Sequence, residues 1–230
     1  VLGSATPSVE SYYRAEQGEY RLLTLTKRAK ENSRLAGGHI VDLREELAEG
    51  NRSIFSRKLK KLIEDRLEKK QQVMLFMNRR GYAGFVSCRS CGKAMKCPHC
   101  DVSLTYHRNG RLKCHYCGFE RPLPDRCPSC GSPFIAPFGT GTQKLEEFTK
   151  REFPTARVLR MDADTTAKKG AHEEILVTFA EGGADILIGT QMIVKGHDFE
   201  NVTLVGVMAA DLSLYAPDFK SAERTFELLT

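Results

Sequence analysis

Eight cysteines constrain this chain more than any other feature. All of them fall between Cys88 and Cys130, as four Cys-x-x-Cys pairs: Cys88/Cys91, Cys97/Cys100, Cys114/Cys117 and Cys127/Cys130. Each such turn aims two sulfurs at one tetrahedral ion, so four turns make two Cys₄ sites, with two Zn²⁺ per chain. A disulfide framework is the competing reading, and it suits small secreted chains. The chain opens Val1-Leu2-Gly3, with no basic start and no cleavage site. Thiolate-bound zinc in a reducing, cytoplasmic compartment is therefore expected. The missing initiator Met points to a sequence that starts mid-protein.

Spacing suggests which sulfurs share an ion. Between the second and third pairs lies Leu104–Lys113, which contains Asn109-Gly110. Asn-Gly is the strongest two-residue hairpin signal, because a type I′ turn needs positive φ at both central positions. Such a hairpin folds Cys97/Cys100 back onto Cys114/Cys117 as an inner site. Cys88/Cys91 and Cys127/Cys130 are left as an outer site. An interleaved cross-brace is the alternative. Both sites are complete with sulfur, so they read as structural and not catalytic. His99, His107 and His115 are surplus to eight thiolates, and read as solvent-facing or nucleic-acid contacts. A module over 84–132 has little apolar core of its own and is expected to unfold without metal.

Charge decides less. The formal net charge is +6 over 230 residues. Eight thiolates and two Zn²⁺ together contribute −4, which leaves +2, so charge alone does not argue for nucleic acid. The segment 84–132 carries eight Lys/Arg against three Asp/Glu, and the same correction leaves +1. A rigid protein-docking platform and a DNA grip are both open for it. The longest apolar run, Val202–Ala210, is too short to cross a bilayer and reads as a strand buried on both faces. No membrane partner is expected.

The rest of the chain alternates strands and helices. A helix is expected from near Ser8, and short extended pieces at Tyr20–Leu25 and His39–Leu43. A helix runs from Ser53 to about Lys70, with Phe55, Leu59, Leu62, Ile63 and Leu67 on one face. Val73–Met77 is a buried strand. After the cysteines come a helix from Thr142 that stops before Pro154, a strand at Arg157–Met161 and a helix over 171–181 ending at Gly182-Gly183. Strands follow at Ile186–Ile188 and Val202–Met208, and a last helix starts near Lys220 and is still running at Thr230. This pattern means an α/β fold, a RecA-like parallel sheet with helices on both faces. The Cys-rich ribbon is inserted into it, not appended. The expected division is a tail of a first lobe over 1–20, a connector over 21–52, a second lobe over 53–83 and 133–230, and the zinc insert over 84–132.

Three segments carry candidate chemistry. Leu2-Gly3-Ser4-Ala5-Thr6-Pro7-Ser8 places Ser and Thr before a helix, where caps are also common. Asn78-Arg79-Arg80-Gly81-Tyr82 is a basic cluster just past a strand's carboxyl end, where open α/β sheets place ligands. A solvated arginine pair is the plainer alternative. In Ile186–Phe199 a strand ends in Gly189-Thr190-Gln191, and Lys195-Gly196-His197-Asp198 follows. Gly189 permits close backbone approach. Thr190 offers a hydroxyl and an amide to a phosphate. Asp198 can accept hydrogen bonds from a ribose.

The order of these segments resembles that of superfamily 2 helicases. Ser4-Ala5-Thr6 resembles motif III, the Asn78–Tyr82 stretch motif IV, and Gly189–Asp198 motif V. Lys195-Gly196-x-Asp198 stands where that superfamily has Arg-Gly-x-Asp. With a Cys cluster between motifs IV and V, the resemblance narrows to the PriA family of bacterial replication-restart helicases. Supporting pieces are Gly139–Thr142, Met161–Thr166 and Phe219–Arg224. The resemblance implies an ATP-dependent 3′–5′ DNA helicase acting at stalled or abandoned forks and initiating primosome assembly. It also implies partners: forked and single-stranded DNA, ATP with Mg²⁺, primosome proteins and single-strand-binding protein. Thr190, Lys195, Arg79 and Arg80 would meet DNA, and Gly196 and Asp198 would face the nucleotide. Ser4 and Thr6 would couple cleft closure to DNA grip. The chain has no Gly-x-x-x-x-Gly-Lys-Ser/Thr loop and ends before the place of motif VI, so it should not hydrolyse ATP alone. Two rivals stand beside this reading: a zinc-ribbon binding module on a non-motor α/β domain, and a zinc-thiol redox sensor.

Overall fold

A computed structural model describes the chain outside residues 28–35, 78–84, 108, 138–140, 169, 191–192, 194–198, 212–213 and 215–218. Its centre is one sheet of four parallel strands: β1 (Gln72–Met77), β7 (Val158–Met161), β8 (Ile186–Gly189) and β9 (Val202–Met208), in the order β7-β8-β1-β9. Phe76, Gly189 and Met161 stand side by side at the carboxyl ends of β1, β8 and β7.

Every residue of β1 is buried, because it is flanked by β8 and β9 and covered on both faces. Val73, Leu75 and Met77 point to one face, and Met74 and Phe76 to the other. On the first face α3 (Arg57–Glu68) and α4 (Thr142–Glu152) bring Ile63 and Leu145, with Phe55 and Phe153 edge to face at 5.8 Å. On the second, α5 (Ala171–Ala180) brings Leu176 and Phe179. The Gln72 side-chain amide is buried at the start of β1. It donates to the Phe179 and Ala184 carbonyls at 2.7 and 2.8 Å, so the core holds no unpaired polar atom there. α1 (Val9–Glu16) starts at Ser8, whose Oγ accepts from the Ser11 amide. Its first amide donates to Glu223 Oε1, and Lys220 pairs with Glu10, tying it to α6 (Ser221–Leu229).

Three local expectations are corrected. Tyr20–Leu25 and His39–Asp42 form no strand, and Leu43 opens a short helix, α2 (Leu43–Ala48), capped by Asp42. The helix expected from Ser53 starts at Arg57. Ser53 and Asn51 fold a turn, and Ser56 Oγ accepts the Leu59 amide as the cap. β9 is not buried on both faces: it is the sheet edge, and Val205 is 57% exposed. Its inner neighbour is β1, but no further element covers the Val205 side among the described residues. α6 runs to the end of the sequence as expected, with the Thr230 amide donating to the Phe226 carbonyl.

The Cys-rich segment leaves and rejoins this sheet through a paired neck. β2 (Val86–Cys88) runs antiparallel to β6 (Ile135–Pro137), with Val86 opposite Pro137. Beyond the neck, β3 (Thr105–Tyr106), β4 (Arg111–Lys113) and β5 (Glu120–Pro122) form a three-stranded sheet. Val86, Leu104 and Leu112 are fully buried there with Cys88, Cys97, Cys114 and Cys127. A module this size holds few apolar side chains, which is the condition under which small domains depend on metals. Among the described residues no helix is long and apolar enough to cross a membrane.

Candidate metal centre and the carboxyl edge of the sheet

The four Cys-x-x-Cys turns share one backbone design. In each, the residue after the second cysteine donates its amide to the first cysteine's carbonyl: Gly92 to Cys88, Asp101 to Cys97, Gly118 to Cys114 and Gly131 to Cys127, at 2.8–3.0 Å. The first cysteine's amide then donates across to Lys93, Val102, Phe119 and Ser132 in turn. The residue after the second cysteine has positive φ in all four turns, which is why three of them use Gly. Asp101 takes φ +54 as the exception, a conformation that Asp tolerates better than most side chains. The Cys-x-x-Cys-Gly repeat was a readable signal that spacing alone passes over.

These turns bring the sulfurs together in two sets, Cys88/Cys91/Cys127/Cys130 and Cys97/Cys100/Cys114/Cys117. Within each set the ligand atoms lie within 4.8 Å of one another. The arrangement is nested, not interleaved. Sulfurs approach at 3.6 Å (Cys88, Cys130), 3.7 Å (Cys91, Cys127) and 3.5 Å (Cys97, Cys117). A disulfide needs about 2.05 Å. Four sulfurs at about 2.3 Å from one tetrahedral ion are about 3.8 Å apart. The donor set therefore fits zinc and not cross-linked sulfur. Each set has two buried, one half-buried and one exposed cysteine, so each ion would sit at the module's surface with its coordination closed.

Local amides favour the thiolate form. The Cys117 amide, and then the Tyr116 amide, donate to Cys114 sulfur and hold its thiol down at about 7. Its neighbour Cys100 is pushed up to about 12, first by its hydrogen bond with Cys117 and then by burial. Four thiols in one small volume cannot all ionise without a cation among them.

The hairpin expected to align the inner set is present: β3 pairs antiparallel with β4. Gly110 has φ +78, the positive value expected of that Gly. The Gly110 amide donates to the His107 carbonyl, and the His107 amide to the Arg111 carbonyl.

The module is clamped to the segment that precedes α3. Arg89, between Cys88 and Cys91, donates to the carbonyls of Arg52 (2.7 Å), Asn51 (3.4 Å) and Ser53. Arg52 lies over the Phe134 ring, 5.6 Å from its centre. On the far side of the first turn, Arg44 from α2 packs against Gly92.

The other expected site residues are placed less completely. Thr190 follows β8 at the sheet's carboxyl edge, half-buried, with its carbonyl accepting the Ile193 amide. Asp162, at the end of β7, shares this edge, and sequence reasoning gave it no role of its own. It is 6% exposed and gathers the Thr142 hydroxyl (2.5 Å), the Thr165 and Asp164 amides (3.0 Å each) and Arg160 (2.9 Å). Burial would raise its carboxyl, but these donors, Thr142 foremost, hold it below the usual range. Ser4 is exposed and its Oγ accepts the Thr6 amide at 3.1 Å, a turn closed on itself. Arg79, Arg80, Lys195, Gly196 and Asp198 lie outside the described residues.

The close backbone approach expected at Gly189 is present. A Cβ there would stand 2.8 Å from the Met161 carbonyl oxygen and 2.5 Å from Ile193 Cγ2. The close approach is made by the neighbouring strand.

Residues 97–122 match the model of the PriA DNA helicase Cys-rich region domain. The chain is 58% identical, over its whole length, to the replication restart protein PriA of Bacillus subtilis (strain 168). The chain belongs to the PriA family. It is likewise 49% identical to the PriA of Synechocystis and 45% identical to that of Chlamydia trachomatis, again over its whole length. It spans 29%, 29% and 31% of those relatives. The similarity thus extends over the sheet, the neck and the Cys-rich module, and is not confined to the cysteines.

Proposed function

We propose that this chain is part of an ATP-dependent 3′–5′ DNA helicase that acts at stalled or abandoned replication forks and initiates primosome assembly. The observation that carries the reading is the identity to PriA proteins on both sides of the cysteine segment as well as within it. A parallel sheet open at its carboxyl edge, where α/β proteins bind ligands, supports it physically. The lobe division forms part of the proposal: a first-lobe tail over 1–20, a connector over 21–52, a second lobe over 53–83 and 133–230, and the insert over 84–132.

In this reading the sheet is the second wall of a nucleotide cleft. Gly196 and Asp198 face ATP and Mg²⁺, with the phosphate loop supplied from elsewhere in the parent. Thr190 holds the DNA backbone through hydroxyl and amide, aided by Lys195, Arg79 and Arg80. Ser4 and Thr6 link cleft closure to DNA grip. Cys88, Cys91, Cys127 and Cys130 hold one Zn²⁺, and Cys97, Cys100, Cys114 and Cys117 the other. The ions act as rigid cross-links, since closed Cys₄ sites leave no position for water or substrate. The insert contacts the fork, primosome proteins or single-strand-binding protein, in the cytoplasm. The non-motor alternative leaves the family sequence around Thr190 and Asp198 without a use.

The test is Asp198→Ala in the intact parent, read by DNA-stimulated ATP turnover at saturating forked DNA. Turnover should fall at least tenfold, on the order of 1.4 kcal/mol of transition-state stabilisation. Wild-type turnover would remove Asp198 from the nucleotide site.

A further inference from the structure

We infer that His107 and His115 form a third metal site, an exchangeable one, at the tip of the Cys-rich module. Their Nε2 atoms face each other at 3.3 Å, with ring planes inclined by 55°. Two imidazole nitrogens bound at about 2.05 Å to one tetrahedral ion stand about 3.3 Å apart. Without an ion the two nitrogens can share one proton as a hydrogen bond at this distance. An arriving ion would take that proton's place without moving the rings apart.

The backbones that carry the two rings are fixed separately. His107 follows β3, and its amide is fixed on the Arg111 carbonyl. His115 sits in the third cysteine turn, whose ends are locked by the Cys114 and Gly118 amides. Little ordering remains to be done when an ion arrives, which is the condition for useful affinity from two ligands.

Electrostatics favour a cation. Four thiolates around one Zn²⁺ leave the adjoining inner site with a net charge of −2. The nearby cations of β4 are already answered: Lys113 and Arg111 pair with Glu120 at 2.9 and 3.3 Å. Imidazole donors select Zn²⁺, Cu²⁺ or Ni²⁺ over Mg²⁺ or Ca²⁺. Unlike the Cys₄ sites, this one keeps open positions, filled by water. It rests on the reading of the inner Cys₄ set as a zinc site.

The experiment is a calorimetric titration of the intact parent protein with Zn²⁺, after a chelating resin has removed loosely held metal. Elemental analysis first establishes two zinc ions per chain. A third equivalent should then bind. His107→Gln and His115→Gln should each weaken it at least about tenfold, the loss that even supporting residues cause at metal sites. His99→Gln, whose ring packs on Phe119 instead, should leave it unchanged. All three variants should keep the two tight ions. No third equivalent, or one that survives His107→Gln, would overturn the proposal. Fewer than two ions in the starting protein would overturn the Cys₄ reading beneath it.

Discussion

Gly189→Ala tests how tightly the carboxyl edge of the sheet is built. Gly189 lies in β8 between Phe76 of β1 and Met161 of β7. The added methyl would stand 2.5 Å from Ile193 Cγ2, 2.8 Å from the Met161 carbonyl oxygen and 3.3 Å from Ile193 Cδ1. Ile193 can turn aside at the expense of its own packing, since it is 2% exposed. The Met161 carbonyl cannot, because it belongs to the paired backbone of β7. Overpacking of this kind costs about 1–3 kcal/mol. The stiffer unfolded chain of an alanine variant returns at most about 1 kcal/mol of that. For a chain of this size, each kcal/mol moves the melting temperature by about 2–4 °C. With two contacts under 3 Å, one of them to backbone, the cost lies in the upper half of that range, so the net loss is about 1–3 kcal/mol and the melting temperature by circular dichroism should fall by about 2–12 °C. Zinc content should stay at two per chain, since the module's core does not touch Gly189. Adding Ile193→Ala should relieve only part of the strain per methyl, because the carbonyl clash remains. A Gly189→Ala variant as stable as the wild type would refute the reasoning.

Three further outcomes are expected. Cys97→Ser should lower zinc from two ions to one and abolish amide-exchange protection in β3–β5, while the helical dichroism of the sheet's helices persists; global loss of that signal would contradict the separation of insert and lobe. Arg89→Ala removes charged hydrogen bonds to three carbonyls at a half-exposed site, worth about 1–2 kcal/mol together. It should raise amide exchange over residues 51–57 with both metals retained. The Asp162 carboxyl is held below its ordinary value of 3.8, so its contribution is present above that pH and lost as pH falls through the depressed folded value. Asp162→Asn should therefore flatten the loss of stability below about pH 4, read as melting temperature against pH; an unchanged acid limb would show that the carboxylate contributes nothing.

Much of this architecture is legible in the residues because single interactions decide it. Val73–Met77 and Ile186–Ile188 are apolar without interruption, and only inner strands covered on both faces tolerate that. Ser8 and Gly182 mark helix ends by capping and by positive φ. The nested cysteine sets follow from the hairpin that Asn109-Gly110 signals. What sequence misses is set by contacts between distant segments. β9 reads as a core strand, and only the strand order puts it at the edge. α2 is six residues long and depends on Glu46, which accepts from Asn51 and Arg57. The donors around Asp162 come from α4 and β7, twenty residues apart in the chain. Gly189 does read as a place of close backbone approach, but only the sheet order names Met161 as the neighbour.

The central claim is that one parallel sheet continues across an inserted two-metal module. Val86 and Pro137 are opposite partners at the neck, so their chain ends lie within about 5.5 Å and a short glycine link can close the gap. The decisive measurement is the thermal unfolding of a chain in which residues 86–137 are replaced by two glycines, followed by far-ultraviolet dichroism. The account predicts a cooperative transition with the signal of α3, α4 and α5 intact and no zinc bound. A chain without helical signal and without a transition would mean that the sheet depends on the module, and would contradict it.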